Sequence, residues 1–151
     1  MIVIRPVSYA DILGAPNAAV LFAAYGIECS IPEIGEIDPQ AALYSQMEQS
    51  GMFQAFGAFK GDELVGFAAV LVYVLPHYGR KIAAVESIFV APEHRSKGTG
   101  NRLMNAIEEY AKSKGSVAIL YSARAASTFE RLLSLLSPYQ RTNAVFIRSL
   151  R

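Results

Sequence analysis

The residues Val85-Glu86-Ser87-Ile88-Phe89-Val90-Ala91-Pro92-Glu93-His94-Arg95-Ser96-Lys97-Gly98-Thr99-Gly100-Asn101-Arg102-Leu103 form the segment most capable of chemistry. An apolar, β-branched run stops at Ala91-Pro92, and six residues beyond Pro92 the first of two glycines opens an amphipathic stretch. Main-chain N–H groups at the start of a helix lack carbonyl partners and sit at the positive end of its dipole, so they converge on an anion. Glycine at 98 and 100 lets the backbone curl close to such a ligand, and Arg95 and Lys97 add positive charge beside it. The implied chemistry is the grip of a diphosphate. Two other phosphate loops do not fit: a dinucleotide fingerprint needs a third glycine where Leu103 stands, and the Gly-Lys-Ser/Thr ending of a P-loop is missing.

The elements that must position this loop follow from periodicity. From Gly100, apolar Leu103, Met104, Ile107, Tyr110 and Ala111 recur at helical spacing, with Glu108, Glu109, Lys112 and Lys114 on the other face and Gly115 as the stop. Ile82 to Val90 is the strand that delivers the loop. Upstream, Ile2 to Val7 reads as a strand handing over, through Ser8 as N-cap and Asp11 in the first turn, to a helix that Gly14 and Pro16 interrupt and Ala18 to Tyr25 resumes until Gly26. Asp38-Pro39 predicts the cap and first position of a second helix running through Ala41 to Ser50. Phe53 to Phe59 and Leu64 to Leu75, joined at Gly61-Asp62, predict a β-hairpin. After the long helix, Val117 to Tyr121 predicts a strand, Ser127 caps a short helix with Phe129, Leu132, Leu133, Leu135 and Leu136 on one side, and Ala144 to Leu150 predicts a closing strand. The order β-α-α-β-β-β-α-β-α-β describes an α/β (α+β) domain over residues 1–151, with a mixed, mostly antiparallel central sheet and helices on both faces.

Bulk composition agrees with one packed domain. The 151 residues are 52% hydrophobic and 18% charged, with a formal charge of +1, which leaves no field or basic run to argue for nucleic acid or acidic lipid. A small molecule or a protein is the expected partner. The longest apolar run, Leu64 to Leu75, is shorter than the roughly 20 residues that span a bilayer, so no membrane anchor is expected. The single Cys29 implies a reducing, cytoplasmic compartment and reads as a packed thiol. His77 and His94 lack a ligand-like spacing, and no metal is expected.

The pattern Val90-x-Pro92-x-x-Arg95-x-x-Gly98-x-Gly100 resembles the pyrophosphate motif of the GNAT superfamily of N-acetyltransferases, and the element order over residues 2–150 is similar to that family's. The resemblance implies an acetyl-CoA-dependent acyltransferase. It further implies that Ile88, Phe89 and Val90 supply main chain to the pantetheine arm as an added strand would, and that Arg95, Ser96, Lys97, Gly98, Thr99, Gly100 and Asn101 cradle the diphosphate. Aligning Pro138-Tyr139 with the family's Gly-Phe or Gly-Tyr pair places Ser127 at its usual cofactor-side asparagine and Ser134 where its acidic tyrosine stands. Few residues follow Tyr139, enough for one strand and hardly for the usual two, so the acceptor site is expected to be open or completed by a second subunit in a homodimer.

Amine acetylation needs an uncharged nucleophile and hence a base. Glu86, expected on one strand face with Ile88 and Val90, is the first choice for that base by analogy with the family; a solvated or ion-paired glutamate is the bland alternative, and His77 and Tyr78 are other candidates. Tyr139, then Ser134, are the candidates for the acid that protonates the leaving thiolate. Glu28, Glu33, Glu36 and Asp38 crowd the loop that borders the acceptor cleft in the family and would attract a cationic amine, unless they are merely solvated. Two functions of different class stay open beside the N-acetyltransferase: a catalytically weak module that binds acyl-CoA or a protein partner, and a nucleotide-binding oxidoreductase, which the failed fingerprint disfavours.

Overall fold

A computed structural model describes all 151 residues. Its elements are β1 (Ile2–Val7), α1 (Tyr9–Leu13), α2 (Ala18–Cys29), α3 (Ala41–Gln49), β2 (Phe53–Lys60), β3 (Glu63–Leu75), β4 (Arg80–Val90), a 3-10 turn (Pro92–Lys97), α4 (Thr99–Ser113), β5 (Ile119–Leu120) and α5 (Thr128–Leu135). The strands form one sheet in the order β1-β2-β3-β4-β5. The first four run antiparallel to their neighbours, and β5 lies parallel to β4.

Strand alternation sorts the core into two layers. Phe53, Ala55, Phe67, Ala69 and Phe89 meet Tyr9, Ile12 and Leu21 of α1 and α2 on one face. On the other, Ala68, Val70, Ala83 and Val90 meet Leu103, Ile107 and Ala111 of α4. Because both faces are covered, β3 is apolar almost throughout instead of alternating. Ser8 and Asp11 form the reciprocal cap of α1, each side chain accepting an N–H of the other's backbone. Asn17 pins α2 to β3 by exchanging two hydrogen bonds with the Leu64 backbone at 2.8 and 3.0 Å, and Arg102 donates to the Ile2 carbonyl at 2.9 Å.

Four sequence expectations need correction. α2 continues through Gly26 to Cys29, since Ser30 N–H still reaches the Gly26 carbonyl. Asp38 does not cap α3; it accepts from the Gln40 side chain, and Gln40 holds the cap position. β5 keeps only Ile119–Leu120 in strand pairing, with Ala83 and Ala84. Ala144 to Leu150 is not a strand, because no other strand lies beside it to accept or donate main-chain hydrogen bonds.

Candidate active site

The loop that the sequence singles out is a turn between two rigid elements. β4 ends as Ala91 N–H donates to the Val65 carbonyl at 2.8 Å, and one 3-10 turn leads to Gly98, whose φ of 76° ends the turn and starts α4. Only glycine and a few polar residues adopt that left-handed conformation easily. The Gly98 carbonyl accepts from Arg102 N–H at 3.1 Å, which leaves the amides of Thr99, Gly100 and Asn101 in the first turn without helical partners. The mouth of this turn is open: a Cβ on Gly98 would meet nothing within 4 Å, and one on Gly100 only a Val90 methyl at 4.0 Å. Beneath it, the Thr99 hydroxyl and His94 Nδ1 are buried without a protein partner, Thr99 being 1% exposed. Ser96, Lys97 and Asn101 form the exposed rim.

Arg95 lies in this loop and braces it, with its side chain still 43% exposed. Its Nε donates to the Val90 carbonyl at 2.8 Å, its Nη2 spans both carboxylate oxygens of Glu28 at 2.8 and 2.9 Å, and the guanidinium sits 5.2 Å from the centre of the Phe89 ring. Arg124 donates to the Glu28 carbonyl at 2.8 Å. The end of α2, the cradle and the chain before α5 are thus tied at one point. Of the expected acidic cluster, Glu28 is consumed by Arg95 and Asp38 by Gln40, while Glu33 and Glu36 form no ion pair.

Beside the cradle the sheet opens. β5 pairs with Ala83 and Ala84 and then leaves, so the β5 side of β4 from Val85 to Val90 has no partner strand. Ile88, Phe89 and Val90 therefore bond to β3 on one edge alone, an arrangement that accepts an extended chain as an added strand.

Glu86 occupies a β-bulge. Ser87 pairs with Ala69 and Val85 with Val70, so Glu86 is the extra residue, and a bulge turns the side chains on either side of it out of alternation. The expectation that Glu86 shares a face with Ile88 and Val90 is corrected on this point: those two pack on the α4 side, while Glu86 turns to α3. There Tyr44 donates to Oε1 at 2.6 Å and Ser87 to Oε2 at 2.7 Å. Tyr44 stacks on Tyr9 with ring centres 3.6 Å apart, and Glu48 accepts from Tyr9 N–H at 2.9 Å. Burial, then the hydrogen bond to Glu86, pushes the Tyr44 phenol well above its ordinary value, and burial also raises Tyr9. Tyr44 and Ser87 hold the carboxylate in one orientation. Sequence reasoning missed both; Tyr44, Met47 and Glu48 do share one helical face, but nothing local connects Tyr44 to a residue 42 positions on.

The candidate acids lie elsewhere. Tyr139 donates to Glu108 of α4 at 2.5 Å, and Tyr121 donates to the same oxygen at 2.7 Å. Burial and that hydrogen bond push Tyr139 up to about 12. Ser134 donates to the Glu130 carbonyl of its own helix, and the Ser127 hydroxyl accepts Glu130 N–H as the α5 cap. The structure does not bring Tyr139 or Ser134 into hydrogen bonding with Glu86; the sheet separates the Tyr44 side from the α4 side. The His77 and Tyr78 rings lie 4.5 Å apart, tilted at 46° to each other, in the β3–β4 turn. No three His, Cys, Asp or Glu side chains cluster as metal ligands, and no helix is long and apolar enough to cross a membrane.

Known proteins share this fold. A sequence profile described as the Acetyltransferase (GNAT) family matches residues 22–133. Among solved structures, a ribosomal-protein-alanine N-acetyltransferase from Brucella melitensis biovar Abortus 2308 is 21% identical with a TM-score of 0.71, covering 98% of this chain and 99% of that one. An aminoglycoside acetyltransferase from an uncultured soil metagenomic sample, solved with sisomicin, is 16% identical with a TM-score of 0.75 over 99% and 97%. The acetyltransferase AAC(6')-Iy, in complex with a CoA-linked bisubstrate analogue, is 18% identical with a TM-score of 0.72 over 100% and 99%. No curated protein sequence matches the chain. With the profile spanning residues 22–133, most of the chain, the chain belongs to the GNAT acetyltransferase family.

Proposed function

We propose that the chain is an acetyl-CoA-dependent N-acetyltransferase that transfers the acetyl group directly to a primary amine of a small molecule or protein. The observation that carries this reading is the meeting of two openings, the uncovered amides at the start of α4 and the unpaired edge of β4 beside them. The coenzyme would bring an acyl group activated as a thioester. The residues fit it: the amides of Thr99, Gly100 and Asn101 face a diphosphate, the rim of Ser96 and Lys97 adds donors and charge, and Ile88 to Val90 offer main chain to an extended arm. Arg95 acts by holding the turn in shape through Glu28 and Val90. The buried Thr99 hydroxyl, without a protein partner, is a further donor at the same helix start.

Glu86 is the base in this reading. Its carboxylate takes the proton of the acceptor ammonium directly or through water, while Tyr44 and Ser87 keep both oxygens aimed. The acceptor is a cationic amine drawn by Glu33, Glu36 and Asp38, the loop acids without an ion pair. The acceptors named for similar structures, an aminoglycoside and a ribosomal-protein alanine, keep both a small-molecule and a protein amine in view.

A second reading, a module that binds acyl-CoA without turnover, is favoured by one observation: the hydroxyls of Tyr139 and Ser134 are committed to Glu108 and to α5 itself. Thiol release from acetyl-CoA across a panel of amines separates the two. The transferase reading expects amine-dependent release that falls about 10²- to 10⁴-fold in Glu86→Gln, with coenzyme affinity unchanged. Binding with no release for any amine supports the module. Release that is indifferent to the charge of the amine, and to loss of Glu33 and Glu36, removes the cationic acceptor.

A further inference from the structure

Charge is segregated along the chain. Residues 6–59 hold six acids and no Lys or Arg, while the other residues hold seven acids and all 14 basic side chains, so the formal +1 is −6 in one part and +7 in the other. The acidic part supplies α1, α2 and α3, whose apolar side chains pack on the Tyr44 face of the sheet. Three of its acids have partners: Asp11 accepts from Ser8 N–H, Glu48 from Tyr9 N–H, and Glu28 holds Arg95. The other three, Glu33, Glu36 and Asp38, are exposed in the α2–α3 loop and form no ion pair.

The same part of the surface exposes aliphatic side chains. Ile27, Ile31, Ile34, Ile37 and Leu43 stand within one run of 17 residues, and each is between 36% and 83% exposed. The loop that carries most of them has a built shape. The Ile31 carbonyl accepts from Ile34 N–H at 2.9 Å and from Gly35 N–H at 3.0 Å. A Cβ on Gly26 would meet the Ile37 side chain at 3.8 Å, so the loop folds back on α2. It also joins the two anchors of the candidate site, since Glu28 at the end of α2 holds Arg95 of the glycine turn and Tyr44 of α3 holds Glu86. An exposed apolar patch rimmed by charge marks a contact surface.

Two features choose its occupant. The open charges are all negative, so the partner is cationic. A small polyamine would leave the isoleucines in water, whereas a polypeptide brings aliphatic side chains to cover them. The chain itself shows how such a segment sits: Arg151, next to Leu150, donates from its guanidinium to the Glu33 carbonyl at 2.9 Å and the Pro32 carbonyl at 3.5 Å. We infer that the α2–α3 loop docks a basic polypeptide segment bearing aliphatic side chains, and that this segment carries the acceptor amine to Glu86. The docking stands on the surface alone; delivery of the amine rests on the transferase reading.

Acetyl transfer to three acceptors tests it: a short peptide alternating Arg and Leu, the same peptide with Ser for each Leu, and spermidine. The Arg–Leu peptide is expected to have a kcat/KM about 100-fold above either of the others, with a KM that rises with salt. Versions with the N-terminus or a lysine as the only free amine identify which amine is used. Ile34→Ser and Glu36→Gln, both at exposed positions, are each expected to raise the peptide KM about tenfold with kcat unchanged. The preference for peptide over spermidine then shrinks by the same factor in Ile34→Ser, while Val20→Ser, at an exposed site on α2, keeps it. Spermidine used as efficiently as the Arg–Leu peptide overturns the inference, as does a peptide preference indifferent to both loop variants. If no acceptor is acetylated, the transferase reading fails, and fluorescence anisotropy of the labelled peptide decides the docking separately. Micromolar binding that Ile34→Ser weakens about tenfold upholds the surface; absence of binding removes it.

Discussion

All 30 buried residues lie between Val7 and Ala111, and none lies in the 40 residues from Lys112 to the end, although both regions are rich in large apolar side chains. In the first region each apolar stripe has an opposing one: β3 is clamped by β2 and β4 and covered by α2 and α4. In the second, α5 buries nothing and residues 140–150 exchange no main-chain hydrogen bond with other main chain. The difference teaches that the same kind of side chain stabilises only where topology supplies a partner. It also divides the work. The rigid part holds Glu86, the bulge and the glycine turn, whereas the sparse part leaves the β5 side of β4 open and supplies the exposed surface.

The largest effect that would break this contrast is a core truncation. Phe67 is fully buried and stacks on Phe22 at 5.1 Å, so Phe67→Ala is expected to cost about 3–5 kcal/mol in urea unfolding. Ile147→Ala, at a half-exposed site, is expected to change stability by less than about 0.5 kcal/mol. Comparable losses at the two sites would show that the tail is packed after all. Next comes Gly66→Ala near the start of β3, whose added Cβ would lie 2.9 Å from the Phe89 carbonyl oxygen. Forcing the strands apart there is expected to cost about 1–3 kcal/mol and to disturb Glu86 through the adjoining register, so activity and melting temperature fall together.

A smaller effect separates positioning from packing. Tyr44→Phe keeps the ring stacked on Tyr9 and deletes the donor to Glu86. Turnover is expected to drop about fivefold, the equivalent of one ordinary hydrogen bond of ~1 kcal/mol, with coenzyme affinity and fold intact. An unchanged turnover would leave Tyr44 as a packing residue. The smallest effect is alkaline. Tyr139 titrates near 12 in the fold against an ordinary 10, and Tyr44 and Tyr121 are raised as well. A raised phenol contributes stability that is complete below the unfolded value and fades as pH climbs toward the folded one. Melting temperature is therefore expected to be insensitive to these groups up to about pH 10 and to decline toward pH 12, with Tyr139→Phe blunting the decline.

Much of this was legible in the sequence where signals are local. Ser8 with Asp11 announced α1, and the spacing of Leu103, Met104 and Ile107 announced α4. The glycine turn was readable because left-handed backbone has a residue preference, and Gly98 carries it. The rest depended on partners distant in the chain. The facing of Glu86 is set by a register slip against Ala69 and Val70, which alternation within β4 cannot encode. Arg95 was read as charge for a ligand, but Glu28, 67 residues away, claims it. Val145 to Ile147 has the composition of a strand and lacks a neighbour, so propensity alone named the wrong state.

The account rests most heavily on the open amides at the start of α4, and calorimetric titration with coenzyme A reads them directly. Aspartate tolerates the left-handed backbone of position 98, so Gly98→Asp keeps the fold while setting a carboxylate where the diphosphate would lie. Wild type is expected to bind one coenzyme A per chain, and Gly98→Asp to bind it about 100-fold more weakly with circular dichroism unchanged. Wild type that evolves no heat of binding, or a variant that binds equally well, would contradict the central claim.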